Sequence, residues 1–159
     1  MPANYNNINS EGVPMFKEQV FLKQEAITAR IKTSQGLHPG RQSYMHFHET
    51  LEFLYITRGA ILCRLDSAEM ILNPGDILFL NSNVPHEIET IEDGTDCVLL
   101  QFQNITTTDG YLTYLAEFLN SAGVSAFVFR SNDPDYEEMK QHLTAIVQAG
   151  NRKGAGYEF

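Results

Sequence analysis

The sequence predicts a mostly β fold, an antiparallel sandwich or barrel followed by two α-helices. Short apolar runs recur between residues 21 and 104, and turn-forming residues separate them. After Asp109 the apolar spacing changes to a helical period. Many short strands with evenly spaced turns are typical of antiparallel sandwiches and barrels. With 159 residues, 43% of them hydrophobic, the chain suits one folded domain with one core.

Nine short segments read as strands because they are apolar or alternate in polarity. They cover residues 20–22, 26–31, 44–48, 51–57, 60–65, 69–72, 76–80, 86–91 and 97–102. Clusters of Gly, Pro, Asn and Asp separate them at residues 38–40, 58–59, 73–75, 81–83 and 92–94. Because strand side chains alternate between faces, Ile61, Cys63 and Leu65 should point inward while Arg64 faces water.

Two apolar stripes at helical spacing follow the strands. The first consists of Tyr111, Leu112, Leu115, Phe118 and Leu119, and residues 126–129 add one more strand after it. The second stripe starts with Asp133 as N-cap and Pro134 at the first helical position, and it ends at Gly150. Its apolar face carries Tyr136, Met139, Leu143, Ile146 and Val147. Packing against the barrel and formation of a dimer both explain such stripes.

The charge and the apolar runs limit the function classes. A formal net charge of −9 repels phosphate backbones and anionic lipids, so the chain should bind neither DNA nor a membrane surface alone. The polar start has no signal-peptide pattern, and no apolar run approaches membrane-spanning length. We therefore expect a soluble, cytoplasmic protein. Cys63 and Cys97 lie in apolar runs and are expected to be buried free thiols.

One constellation of residues could carry chemistry. His46 and His48 project to one side of a strand, Glu52 keeps the same parity, and His86 begins a later strand. Three imidazoles and a carboxylate would suit a divalent metal such as Zn, Ni, Mn or Fe. The same side chains could instead be the polar lining of a small-molecule pocket. The residues alone leave both interpretations open.

The same spacing resembles the first motif of the cupin superfamily. The motif fixes five positions, and this sequence matches all of them. Gly40 is followed after five residues by His46-x-His48, after three more by Glu52 and after another six by Gly59. The second motif matches less well: Gly75 and His86 are present, but Asn81, Asn83 and Thr90 replace its Pro, Gly and Asn. Asn83 can adopt the left-handed conformation that Gly would supply. The resemblance implies a double-stranded β-helix, the cupin or jelly-roll barrel.

Most of the chain also resembles the N-terminal sensor domain of AraC-type transcription regulators. The likeness lies in the stretches 46–59, 74–80 and 84–86. It implies an N-terminal arm over residues 1–20, a cupin barrel over 21–104, and a helical dimerisation or linker segment over 105–159. The DNA-binding helix-turn-helix half of that family has no counterpart before Phe159, so DNA contact would need an absent C-terminal half. The implied protein is a homodimer that binds a small effector, a sugar or an organic acid, and is no enzyme.

The alternative is a metal-dependent cupin enzyme, a dioxygenase or isomerase, that uses His46, His48, Glu52 and His86. For the sensor, the same four residues would bind the effector. Strand parity adds Cys63 to the predicted pocket, with Phe79, Phe102, Ile88, Val98 and Leu100 as partners on neighbouring strands, and a plain core role is the alternative for each of them. Arg30, which lies between apolar strand residues, is either a further pocket residue or a surface arginine. Arg30 could meet a carboxylate or a sugar hydroxyl.

Overall fold

Two β-sheets packed face to face form the body of the molecule. The computed structural model describes residues 7–8, 12, 14–20, 29–103 and 123–151. Within these residues the strands are β1 (Asn7–Ile8), β2 (Pro14–Lys17), β3 (Ala29–Leu37), β4 (Gly40–Phe47), β5 (Thr50–Arg58), β6 (Ile61–Leu65), β7 (Glu69–Leu72), β8 (Ile77–Leu80), β9 (His86–Thr90), β10 (Thr95–Gln103) and β11 (Ala126–Phe129). One helix, α1 (Tyr136–Asn151), follows them.

The strands divide between a six-stranded and a five-stranded sheet. The first has the order β1-β2-β4-β9-β6-β7 and the second the order β11-β8-β5-β10-β3. Neighbours pair antiparallel except β2 and β4, which run parallel. The predicted mostly β barrel is confirmed, and β7 and β11 match their predicted bounds. The strands at residues 31–37 and 40–43 were not fully predicted, since their polar side chains hide the β pattern.

Two turns fix the ends of strands that carry site residues. Gly59 has a φ of 73°, and a Cβ there would lie 2.2 Å from the Thr95 hydroxyl, so only glycine fits beside β10. Asn83 has a φ of 61°, which confirms that it supplies the left-handed turn in place of glycine. Its backbone N–H donates to the His48 carbonyl at 2.7 Å. That bond ties the turn before β9 to the end of β4.

The core has an inner and an outer part. Between the sheets lie eight buried side chains: Leu54, Ile56, Ile61, Cys63, Leu72, Leu78, Leu80 and Cys97. Ile61 and Cys63 therefore point inward as their parity predicts, and both cysteines are unpaired thiols. On the outer face of the five-stranded sheet, Ala29, Ile77 and Leu100 pack with Tyr136 and Leu143 of α1.

Helix α1 covers the outer face of the barrel and starts later than its sequence predicts. Tyr136 is buried and its hydroxyl donates to the Gly75 carbonyl at 2.6 Å. The Asp135 carbonyl accepts the first helical bond, from Met139, so the predicted N-cap at Asp133 with Pro134 at N1 is wrong. Asp133 instead accepts the Arg130 backbone N–H within the preceding turn. Tyr136 and Leu143 pack on the barrel, whereas Ile146 is 38% exposed.

Several predictions lie outside the described residues. These are the first helical stripe at 111–119, the strand at 20–22 beyond its first residue, the start of the strand at 26–31, and the linker after Asn151. Within the part of the chain that is described, no helix is long and apolar enough to span a membrane.

Candidate functional site

Three buried histidines converge between the sheets. His46, the last residue but one of β4, lies beside His86, its register partner at the start of β9, and His48 directly follows β4. One ring nitrogen from each of the three lies within 4.8 Å of the others. The imidazole centroids of His46 and His86 are 4.2 Å apart, and those of His48 and His86 are 5.1 Å apart. The structure thus brings together the histidines that the motif spacing singled out.

Each imidazole is oriented by its Nδ1. The Nδ1 of His46 lies 2.7 Å from the Tyr44 carbonyl, and that of His86 lies 2.9 Å from the Val84 carbonyl. A carbonyl only accepts, so both Nδ1 atoms carry the proton and donate it. In the neutral rings, Nε2 then keeps its lone pair. Such backbone acceptors are the usual outer partners of metal-binding histidines.

The fourth predicted residue, Glu52, is held by two donors. Its Oε2 lies 2.9 Å from His48 Nε2 and accepts a 2.9 Å bond from Gln101 Nε2. It is also 3.9 Å from His86 Nε2. Burial would raise the pKa of Glu52, but the bond from His48 and the nearby imidazoles hold it below the ordinary value. Glu52 therefore stays a carboxylate although it is 3% exposed.

Gln101 links the histidine cluster to Arg30. While its amide nitrogen donates to Glu52, its Oε1 accepts from Arg30 Nη1 at 3.3 Å. Gln101 is 2% exposed, so its polar atoms have no access to bulk water. Sequence reasoning missed Gln101, although it is the one polar residue in the otherwise apolar run 97–102. That contrast is a signal that could have identified it.

Glu18 is the second residue that sequence reasoning missed. It follows strand β2 of the N-terminal segment, and its Oε2 lies 3.4 Å from His46 Nε2. Hydrogen bonding to His46 holds the pKa of Glu18 below its ordinary value. Burial alone would lower the pKa of His46, but Glu18 and the Tyr44 carbonyl raise it above the ordinary value. Nothing in the polar start of the sequence signals this contact.

A cavity of about 210 Å³ opens beside these residues. It is smaller than the roughly 300–1,000 Å³ of drug-sized sites, which favours a small ligand. Charged and polar side chains share its wall with apolar ones. The lining consists of Glu18, Arg30, Lys32, Ser34, Leu37, Gln42, Ser43, His46, Glu52, Leu54, Ile61, His86, Ile88, Cys97, Leu99 and Gln101.

The donor set also fits a divalent metal. Three imidazole nitrogens near a carboxylate are ligands that Zn, Ni, Mn and Fe accept, and the Nδ1 of each histidine lies within 3.0 Å of a backbone carbonyl, that of Thr50 for His48. His48 Nε2, which bonds Glu52, would lose its proton to bind the ion. His46, His48 and His86 would hold the ion with Glu52 beside them. A bound ion would act as a Lewis acid on a ligand oxygen. The same donors can equally bind the polar groups of an organic ligand.

The other predicted pocket residues separate into two groups. Arg30 lines the cavity, and Cys63 lies in the inner core, where burial raises the pKa of its thiol to about 12. Phe79 and Phe102 both contact Phe53, at centroid distances of 5.2 and 5.8 Å, on the outer face. The inward parity assigned to these two, and to Val98 and Leu100, is therefore wrong.

The outer face contains a second, apolar cavity of about 190 Å³ between the sheet and α1. Val98 and Leu100 line it from β10, and Leu143 and Val147 line it from the helix. In β10, Leu99 and Gln101 face the inner cavity instead. A strand buried on both faces offers no polar alternation, so its parity cannot be read from the sequence.

The comparison with protein families agrees with the topology. Residues 34–102 match the family model described as the cupin domain, and this range includes all four predicted metal ligands. The fold is cupin-like. In this barrel both motifs lie at the cavity, the first on β4 and β5 and the second on the turn into β9.

Known proteins similar to this chain include an HTH-type transcriptional regulator, ToxT and an oxalate decarboxylase. An uncharacterized HTH-type transcriptional regulator, YdeC of Bacillus subtilis, is 27% identical over 118 residues, which are 72% of this chain and 40% of the relative. The chain thus spans less than half the length of that curated relative. ToxT from Vibrio cholerae superposes with a TM-score of 0.46 at 9% identity, over 74% of this chain and 47% of ToxT. Oxalate decarboxylase OxdC of Bacillus subtilis gives a TM-score of 0.42 at 20% identity, over 64% and 24%.

Proposed function

We propose that this chain is the ligand-sensing and dimerisation part of an AraC-type transcription regulator, and that it is not an enzyme. The observation that carries the proposal is the similarity to an HTH-type regulator over 72% of the chain. Because the match occupies 40% of that relative, the chain would correspond to one part of a larger protein. DNA would then be bound by a separate basic segment, which agrees with the net charge of −9 of this chain.

The inner cavity supports the sensing role. It combines an apolar wall with polar groups that converge from both sheets, which is what recognition of a small molecule needs. The cavity also touches Glu18, which belongs to the N-terminal segment rather than to the barrel. An effector that contacts both parts can favour one arrangement of that segment over another. The effector class is a sugar or an organic acid.

A ligand screen tests the sensing role. Sugars and organic acids are added singly to the purified chain, and the melting temperature is measured for the wild type and for Gln101→Leu. A sensor predicts at least one compound that stabilises the wild type and fails to stabilise the variant. Light scattering on the same samples should give the mass of a dimer. A monomer would remove dimerisation from the proposal.

The second candidate is a metal-dependent cupin enzyme of the dioxygenase or isomerase type. The observation that favours it is the approach of three histidine nitrogens within 4.8 Å. Elemental analysis of the purified protein, with His48→Ala as control, separates the two. Near-stoichiometric metal that disappears in the variant, together with turnover of a stabilising compound, would establish the enzyme and overturn the sensor. A folded, metal-free protein that binds a compound without turnover would support the sensor.

A further inference from the structure

The mouth of the inner cavity carries two cationic side chains on one strand. Arg30 and Lys32 alternate with Ile31 on β3 and line the same cavity wall, together with Ser34. His46 and His86 face them from the other sheet. Such a wall attracts an anion into a cleft that is partly shielded from water.

Two carboxylates among the described lining residues face this wall, and they are bound differently. Glu52 Oε2 lies 2.9 Å from both His48 Nε2 and Gln101 Nε2. Glu18 reaches His46 Nε2 at 3.4 Å and Arg30 Nη1 at 4.0 Å. Charge-assisted bonds between such groups are normally about 2.7–2.9 Å long. Glu18 therefore occupies the anion position without filling it well, and a better-fitting carboxylate could approach both groups more closely.

Few contacts hold Glu18 in place. Strand β2 pairs with β4 at only two positions, Phe16 with His46 and Lys17 with Phe47. The Phe16 ring stacks on His46 at 5.4 Å, and the Glu18 N–H donates to the Phe47 carbonyl at 2.8 Å. Among the described residues, β2 also pairs with the short strand β1, and an ion pair joins the exposed side chains of Lys17 and Glu49. Exposed pairs add little stability, so this segment can be displaced at low cost.

We propose that Glu18 is an internal stand-in for the carboxylate of an acidic effector. The effector is a small organic acid whose carboxylate binds Arg30 and His46 and whose apolar part contacts Leu54, Leu99 and Ile88. Its binding expels the Glu18 side chain and releases β2 from β4. The inference deepens the proposed sensing function and rests on it, because release of β2 is a signal only if the barrel is a sensor.

Acetate is the probe for this anion position, with acetamide as its uncharged counterpart. Because Glu18 is tethered to the site, it competes with acetate at a millimolar or higher effective concentration. Removal of its carboxylate should raise the apparent affinity for acetate. We therefore expect Glu18→Ala to bind acetate at least about tenfold more tightly than the wild type. The imidazole signals of His46, followed by NMR in EDTA-treated protein, should shift with acetate and stay in place with acetamide.

Two further variants sharpen the test. Arg30→Gln in the Glu18→Ala background should abolish acetate binding. Glu49→Ala removes a carboxylate that lies outside the cavity and forms an exposed pair with Lys17, so it should behave as the wild type does. Equal acetate affinity in wild type and Glu18→Ala, no shift of His46, or an equal response to acetamide would each overturn the proposal. These outcomes are distinct from failure of the sensing role. A neutral effector that stabilises the wild type would refute the anion site alone, whereas acetate binding without any effector response would refute the sensor alone.

Discussion

The inner and outer faces of the five-stranded sheet are both buried, yet they differ in chemistry. Along β10, Leu99 and Gln101 face the inner cavity beside Glu52, whereas Leu100 and Phe102 face outward beside Phe53. Beside the apolar core that lies between the sheets, the inner face thus carries a carboxylate and an amide, Glu52 and Gln101, which bond each other and the neighbouring His48. The outer face consists of aliphatic and aromatic side chains under α1.

The difference separates the polar part of the inner face, which forms the candidate site, from the apolar core on the outer face. Burial of unpaired polar groups costs about 1–3 kcal/mol each, so a purely structural inner face would be apolar like the outer one. The polar groups on the inner face instead hydrogen-bond one another, from His48 and Gln101 to Glu52 and from Arg30 to Gln101. Polar groups buried in this way are common in binding and catalytic sites. Substitutions on the outer face should affect mainly stability, and those on the inner face should affect binding more.

The largest stability loss is expected from Leu100→Ala. Leu100 is 2% exposed in the outer cluster, and truncation of such a side chain costs about 2–5 kcal/mol. Urea unfolding measures this loss, with Ile71→Ala on β7 as the matched control. Ile71 is 50% exposed and should cost less than about 1 kcal/mol. Equal losses in the two variants would contradict the assignment of the outer face as core.

A smaller loss is expected from Gln101→Leu on the inner face. Leucine leaves Glu52 and Arg30 without their shared amide partner, which should cost about 1–3 kcal/mol of unfolding free energy. The matched control is Leu99→Met at the same cavity. It keeps the side-chain volume and should lower the unfolding free energy by less than about 1.5 kcal/mol. A Gln101→Leu protein as stable as the wild type would mean that the amide is not needed to satisfy Glu52.

His48→Ala should weaken binding of added Zn²⁺ at least about tenfold, since it removes one of three converging nitrogens. Titration monitored by calorimetry measures the affinity. The control is His142→Ala, because His142 lies on the exposed side of α1 beside Glu138. If both variants bind Zn²⁺ as the wild type does, the histidine cluster is not a metal-binding site.

The smallest change is expected when the folded protein is treated with an alkylating reagent, because both cysteines are buried. Burial raises the pKa of Cys63 to about 12 and also raises that of Cys97. A raised thiol pKa leaves almost no thiolate at about pH 8, so iodoacetamide should label neither residue until the protein unfolds. Mass spectrometry before and after addition of urea gives the number of alkylated cysteines. Labelling of either cysteine in the folded protein would contradict its placement between the sheets.

The sequence was sufficient to predict the barrel and the histidine cluster. Turn residues marked the strands, and the motif spacing identified His46, His48 and Glu52, although the chain passes from one sheet to the other between β4 and β5. It was not sufficient for parity in the runs 77–80 and 97–100, which are apolar throughout because both faces of their sheet are covered. A shift of one residue exchanges the two faces of a strand, and Phe79 and Phe102 were misplaced for that reason.

Of the remaining features that the sequence did not predict correctly, two are long-range contacts and one is the local start of a helix. Glu18 meets His46 only because β2 pairs in parallel with β4, and no local pattern in the polar start encodes that pairing. Gln101 lies opposite Glu52 in the register of β10 and β5, which depends on a register shift near Asp96 and Cys97. The N-cap of α1 was misplaced by two residues because Asp133 and Asp135 both suit that role.

Transcription from a reporter tests the sensing role most directly. The chain is fused to a DNA-binding domain that represses its operator only as a dimer, and reporter output is measured with and without a compound that stabilises the purified chain. The predicted result is repression that changes with the compound, a response lost in Gln101→Leu but kept in Leu99→Met. Output that is the same with and without the compound, in a fusion that folds and represses, would contradict the assignment of this barrel as a sensor.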